Sequence, residues 1–312
     1  MIFKISFIAV AVLLLVAVPG YVLIKRRMIS EDCISGFSKV LLFVCQPCLA
    51  VYSFKSTEYS TEKLLDIGIF ALLCLAIHAI MLGGSYLILK HKCKDPIYRV
   101  MTIATTFSNS AFFGIPIIEA LLPDMAPDLI VYTTVFALVM NIAGWTIGSA
   151  IIAQDPKFIS PKKIFINPAM ISAVVAIIIF IFSIPLGDEL ESMITVTARM
   201  ATPLSMIIMG MRLATMDLRR LFSDYRIYLI VAVKQFVMPV VAFLMVLFLP
   251  VSVEIKYTFF IICACPAASI VLNFSEIIGK AQREAANTVL LSTMLSIVTL
   301  PITMLLLPYL AM

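Results

Sequence analysis

The fold of this chain turns on "TTFSNSAFFGIPIIEALL", Thr105 to Leu122. The stretch belongs to an apolar run long enough to cross a bilayer, yet its middle carries Ser108, Asn109, Ser110, Gly114 and Pro116. These are poor residues for a helix interior. Serine and asparagine offer competing hydrogen bonds, glycine is conformationally loose, and proline lacks the N–H that a continuing helix uses. In hydrocarbon an unpaired backbone group costs roughly 2–7 kcal/mol. A break at mid-depth is therefore tolerable only where protein, water or a ligand satisfies it.

The membrane setting follows from composition. Of 312 residues, 62% are hydrophobic and only 13% are charged, against about 45–50% and 25% in soluble domains. Ten apolar runs of bilayer length are visible, at 3–24, 35–54, 64–89, 98–122, 128–153, 163–185, 190–214, 226–250, 256–279 and 285–310. Short polar connections separate them, and no stretch is long enough for a soluble domain. The first run is longer than a signal-peptide core and is followed by "KRR", so it reads as a span. The net charge of +5 is then a matter of topology and gives no reason to expect nucleic acid.

Seventeen basic residues flank the ends of odd-numbered runs, including Lys25, Arg26, Arg27, Lys90, Lys162, Lys163, Arg219 and Lys280. Four lie on the other side, Lys4, Lys55, Lys63 and Lys256. The positive-inside rule places the basic loops in the cytoplasm and both termini outside, in a multi-pass protein of the cell membrane, expected to be a bacterial inner membrane.

The chain also repeats itself. "VLLFVCQPCLAVYSF" (Val40–Phe54) and "ARMATPLSMIIMGMRL" (Ala198–Leu213) each hold a central proline, Pro47 and Pro203. The break at "SNSAFFGIP" recurs as "CACPAASIVLNFSEIIG" (Cys263–Gly279). Spans 2 and 4 thus return as 7 and 9. A shift of five spans is odd, so the halves 1–155 and 156–312 would thread the membrane oppositely, the plan of inverted-repeat transporters. Two inverted breaks crossing near the midplane offer N–H groups to an anion and carbonyls to a cation. The expected binding residues are Asn109, Ser110, Gly114 and Pro116 from the first break and Pro266, Ala267, Ser269 and Asn273 from the second. Pro116 and Pro266 are each expected to hold a helix open, with alanine acting alike at both. Pro47 and Pro203 are read as kinks or as pocket wall.

These residues carry a resemblance. "SNSAFFGIPIIEAL", the "NPAM" that opens span 6, "TPLSMIIMGMRLA" and "CPAASIVL" look like the auxin efflux carrier family, prokaryotic permeases related to the plant PIN-FORMED transporters. The resemblance covers the whole chain. It implies ten helices in two inverted five-helix repeats, similar to bile-acid symporters and sodium/proton antiporters. It further implies a scaffold of spans 1, 2, 6 and 7, a transport unit of spans 3–5 and 8–10 moving in an elevator-like stroke, and an organic anion bound at the crossing of spans 4 and 9. Asn109, Pro116 and Pro266 match the crossover positions, and Asn167 matches the asparagine that starts span 6. The large loop of the plant members between spans 5 and 6 is missing, and their acidic residue early in span 3 has two candidate counterparts, Glu62 and Asp66.

Ionisable residues inside spans are functional candidates by default. Glu119 is a proton or cation ligand or an interface residue. Arg199 is a partner for an anionic substrate or a member of a charge pair, His78 a proton carrier or a helix–helix hydrogen-bonding residue, and Lys234 a snorkelling residue. Glu276 is expected to be solvated. Cys45, Cys48, Cys263 and Cys265 read as packing residues, since no ligand set for a metal accompanies them. No ATPase or hydrolase motif is present, so neither enzyme activity nor a cofactor is expected. The expected function is a secondary carrier or facilitator for a small organic anion such as a carboxylate or auxin-like acid. A sodium- or proton-coupled symporter or antiporter on the same fold is the second reading, and a receptor or intramembrane enzyme the third. Expected partners are the anion, a coupling proton or sodium ion, the lipid bilayer, and a second copy through the scaffold helices.

Overall fold

The computed structural model describes residues 1–159 and 167–311. Residues 163–166, which begin the sixth apolar run, and the basic pair Lys162 and Lys163 lie outside them. The described residues are helical, joined by short turns, with no strand beyond one isolated bridge. In chain order the helices are α1 (Ile2–Lys25), α2 (Cys33–Lys55), α3 (Thr61–Leu89), α4 (Pro96–Ala104), α5 (Gly114–Leu121), α6 (Ala126–Ala153) and α7 (Pro168–Ile181). They continue as α8 (Asp188–Thr215), α9 (Leu218–Ser223), α10 (Tyr225–Leu247), α11 (Val253–Ala264), α12 (Ile270–Ile278) and α13 (Gln282–Ala311). Among the described residues seven helices (α1, α2, α3, α6, α8, α10 and α13) are long and apolar enough to cross a bilayer. The fourth apolar run is instead two short helices, α4 and α5, and the ninth is α11 and α12. The sixth forms the shorter apolar helix α7.

Helix starts follow local chemistry. Ser60, Asp95, Asn167, Asp224 and Ser252 each accept a hydrogen bond from a first-turn N–H, which satisfies donors that have no partner within the helix. Pro96 and Pro168 follow two of these caps, where a missing N–H costs nothing.

Packing groups α1, α2, α7 and α8 together: α1 lies along the second half of α8, while α7 and the first half of α8 cover α2. The tightest crossing is built on glycine. A Cβ on Gly20 would sit 2.0 Å from the carbonyl oxygen of Ile207, and one on Gly210 would sit 1.8 Å from that of Ala17. Two backbones touch there, as small residues permit in membrane helices. The other helices enclose a large core that includes Phe70, Phe107, Tyr132, Phe136, Phe259 and Phe274. The outer faces carry exposed Leu72, Ile88 and Phe248, the surface expected of helices in contact with lipid acyl chains.

Three long helices contain a wide π turn: Leu41–Cys45 in α2, Gly144–Gly148 in α6 and Val233–Val237 in α10. Such turns shift every later side chain around the helix and concentrate at functional sites. Here they set the directions of Gln46, Trp145 and Lys234.

Candidate functional site

The two breaks in the chain meet. α4 closes with the amides of Thr106 and Phe107 both on the Ile103 carbonyl, while Thr105 Oγ1 caps that of Met101 at 2.9 Å. The backbone then extends, and Ser108 pairs with Ala267 in an antiparallel bridge. Asn109 N–H donates to the Pro266 carbonyl and Ala268 N–H to the Phe107 carbonyl, each at 2.9 Å. Ala267 N–H donates to Ser292 Oγ of α13 at 2.9 Å, and Ser110 Oγ to the Thr133 carbonyl of α6 at 3.2 Å. α5 restarts with Gly114 N–H on the Asn109 carbonyl at 3.1 Å. The polar backbone freed by the breaks is thus largely answered by protein, as burial requires.

This arrangement assigns different places to the two prolines. Pro266 lies in the crossing and supplies one of its acceptors. Pro116 is the third residue of α5, within the first turn, where N–H groups lack helical partners in any case.

Beside the crossing lies a cavity of about 530 Å³, within the usual range for small-molecule sites. Asn109, Ser110, Ser269, Asn273 and Asn167, the polar residues expected to bind substrate, line it. Gly114, Pro116, Pro266 and Ala267 do not line it; they shape the backbone behind it. Pro47 borders a second cavity with Phe43, Pro168 and Ile171, and Pro203 is an exposed residue of α8 that borders neither.

The sequence reading missed Gln46, Asn141 and Trp145, together with the apolar walls Phe43, Phe112 and Phe274. Asn167 and Asn141 belong to one small network. Asn167 Nδ2 donates to Asn141 Oδ1 at 3.1 Å, Asn167 Oδ1 caps α7, and Asn141 Nδ2 donates to the Ala137 carbonyl. By contrast, the side chains of Gln46, Asn109, Ser269 and Asn273 make no hydrogen bond to another described residue. Asn109 is nonetheless only 6% exposed. Buried polar groups normally find a partner, and these four side chains are open to the cavity instead. No ionisable side chain lines it. The N-termini of α5 and α12 lie close to its lining residues Phe112 and Ser269.

The charged candidates fall elsewhere. Glu62 is exposed at the start of α3. Asp66 accepts from Ser252 Oγ at 3.4 Å, and nearby Lys63 pairs with Glu254 at 3.1 Å. These contacts tie α3 to α11 away from the cavity. Glu119 and Arg199 are both exposed, and Arg199 is near enough for its charge to act on the Glu119 carboxylate. Glu276 is ion-paired with Arg212 rather than merely solvated. His78 bonds within its own helix, Nδ1 to the Cys74 carbonyl at 2.7 Å, and not to a neighbouring helix; its ring rests on Phe136 and Phe107. Lys234 departs furthest from expectation. It does not snorkel: it is wholly buried, its Nζ 2.8 Å from the Cys263 carbonyl, because the wide turn of α10 directs it inward. All seven cysteines are free thiols, and the described residues contain no cluster of potential metal ligands.

Among curated proteins none matches the chain. A family model described as a membrane transport protein matches it twice, over residues 5–160 and again over 155–304. The two matches cover nearly the whole length, and they divide near the position where the sequence begins to repeat. The chain therefore belongs to the membrane transport protein family, that of the auxin efflux carriers.

Proposed function

We propose that the protein is a secondary carrier or facilitator for a small organic anion, such as a carboxylate or auxin-like acid, held in the cavity beside the paired breaks. The observation that carries this reading is the antiparallel join of Ser108 with Ala267, next to a cavity into which amides without protein partners point. Amide donors and two helix N-termini suit a carboxylate, and the phenylalanine and tryptophan rings suit an apolar body. The seven long helices, α7, and the two broken pairs would make ten crossings. The double family match supports two inverted five-helix repeats. In this reading α1, α2, α7 and α8 form the scaffold, and the remaining helices form a transport unit that moves in an elevator-like stroke.

With the basic loops cytoplasmic, the cavity lies toward the inside, since Trp145 and Ile277 occupy the inner parts of α6 and α12. Toward the outside, Ile115 and Ile130 pack with Leu49, Ala198 and Ala201 of the scaffold. There Thr57 Oγ1 also donates to Asp128 Oδ1 at 2.6 Å. The protein would then be in its inward-facing state.

Sodium- or proton-coupled transport is the second reading. The deciding experiment is counterflow of labelled carboxylates in proteoliposomes, with and without sodium and pH gradients. Accumulation without either gradient supports a facilitator. Dependence on one gradient identifies the coupled alternative, and no counterflow with any carboxylate defeats the carrier reading.

A further inference from the structure

One buried charge has no part in the cavity. Lys234 is 0% exposed, and its ammonium donates to the carbonyl of Cys263, next to last in α11. The described residues give it no ion pair. The ionisable groups around it are Cys263 on α11, Cys265 just past its end and His78 on α3, with Cys74 beside Cys263. None is a carboxylate. A buried ammonium without a counter-ion is costly, so something else must hold it.

What holds it is the end of a broken helix. The last carbonyls of a helix lack N–H partners and carry about half a negative charge between them. At the end of α11 the Ile262 carbonyl accepts from Cys265 N–H at 3.1 Å, and that of Ile261 from Cys265 Sγ at 3.3 Å. The Cys263 carbonyl accepts from Lys234. The matching end of α4 is closed by Thr105, Thr106 and Phe107, with no cation involved. The ammonium also sits against the crossing. The next residue, Gln235, donates from Nε2 to the Ser292 carbonyl at 2.8 Å, and Ser292 Oγ accepts from Ala267 N–H. Carbonyls at the end of a half-helix beside a crossing are the groups with which carriers of this general plan coordinate an alkali ion.

We propose that the Lys234 ammonium is a resident cation: it fills a monovalent-cation position at the C-terminal end of α11, so that the crossing keeps its shape without sodium. This rests on the carrier reading only for its consequence, that transport needs no sodium gradient.

The test is melting of the purified full chain in sodium chloride, potassium chloride and choline chloride at equal ionic strength. No organic substrate is needed. Wild type is expected to melt at one temperature in all three salts. K234S opens space beside the Cys263 carbonyl. It should melt lower in choline and rise by about 3 °C or more with sodium or potassium. K234M fills the space with an apolar chain and should melt low in every salt. Wild type stabilised by sodium over choline, K234S indifferent to the salt, or K234M as stable as wild type would each overturn the proposal. Where K234S does not accumulate, K234R decides alongside the wild-type comparison. It keeps the charge and should accumulate better than K234M, and equal failure of the two counts against a cation. Absence of carboxylate uptake under all conditions would instead defeat the carrier reading and leave these melting results to stand by themselves.

Discussion

The backbone of Asn109 is bound to Pro266, N–H to carbonyl at 2.9 Å, while its side chain lines the cavity with no protein partner. The two halves of this residue therefore have separable roles. Removing the side chain leaves the join between the breaks intact, because that join is made by main chain.

Asn109→Ala should accordingly fold and insert as wild type does, with a melting temperature in detergent that is little changed. Loss of a hydrogen bond made only to a bound anion corresponds to about 1–1.5 kcal/mol, or roughly tenfold in apparent affinity. Asn273→Ala should behave similarly. Carboxylate uptake at wild-type affinity in both variants would remove the amide cluster from the binding site.

Asn141 and Asn167 make a sharper comparison. Asn141 receives the Asn167 amide and holds its own side chain on the Ala137 carbonyl. Asn141→Leu leaves Asn167 Nδ2 without its acceptor beside the cavity, so the substrate-free protein should lose about 1–3 kcal/mol. A carboxylate that accepts from the freed amide should stabilise it at least as much as wild type. Asn167→Asp keeps the helix cap but brings a negative charge beside the cavity. It should abolish anion uptake while melting close to wild type. Uptake by Asn167→Asp equal to wild type would show that the anion does not approach this end.

How much of this was legible in the sequence depends on which elements are broken. Asn109, Ser110, Ser269 and Asn273 lie in segments where glycine, proline and short polar residues interrupt an apolar run, so the pattern itself marks them. Asn141, in the regular part of α6, is one polar residue in an unbroken apolar run. Gln46 and Trp145 sit in continuous helices, and their direction depends on π turns that leave hydropathy unchanged. Lys234 was misread for the same reason. A long amphipathic side chain in a span reads as snorkelling unless the backbone turns it inward and a broken helix supplies the acceptor. The glycine contacts of α1 with α8 were equally hidden, since Gly20 and Gly36 look alike as letters.

Those glycines give a stability prediction. At Gly20 and Gly210 a Cβ would enter the backbone of the facing helix, whereas Gly36 has nothing within 4 Å of that position. Gly20→Val and Gly210→Val should lose several kcal/mol and yield little monodisperse protein. Gly36→Ala, in a helix with open space, should be neutral or stabilising by up to about 1 kcal/mol. Thermal melting and gel filtration of the three variants check this. A well-behaved Gly210→Val would mean that α1 and α8 do not cross there.

Arg212 of α8 and Glu276 of α12 form an ion pair near the basic ends of these helices, beyond Asn273 of the cavity. In the proposed stroke this pair joins scaffold to transport unit and has to part. Both side chains are partly exposed, so the pair is worth no more than about 1 kcal/mol. Arg212→Gln and Glu276→Gln should therefore change the uptake rate by at most about fivefold. The exchanged pair, Arg212→Glu with Glu276→Arg, should return toward wild type, and added salt should narrow the differences. If the effects of Arg212→Glu and Glu276→Arg, each made alone, simply add in the exchanged protein, the contact plays no part in the stroke.

The last prediction separates the two prolines that the sequence treats as equivalent. The residue before a proline is driven out of the helical region. Cys265, before Pro266, is indeed extended at φ −61° and ψ 153°, and α11 stops at Ala264. Pro266 therefore ends the helix and offers its carbonyl to Asn109. Pro116 sits inside the first turn of α5, where its missing N–H disturbs no established bond. The interruption before α5 belongs to Ser108–Phe113. Pro266→Ala lets Cys265 enter the helix, which moves the acceptor away from Asn109 N–H and the Cys263 carbonyl away from Lys234. It should keep expression but lose substrate-induced stabilisation and uptake. Pro116→Ala should stay within about 1 kcal/mol of wild-type stability and transport nearly normally. The double variant should match Pro266→Ala. Ligand-dependent melting and liposome uptake of all three decide the matter. Wild-type uptake by Pro266→Ala would detach the crossing from transport, and a Pro116→Ala defect as deep as that of Pro266→Ala would restore the equivalence of the two breaks.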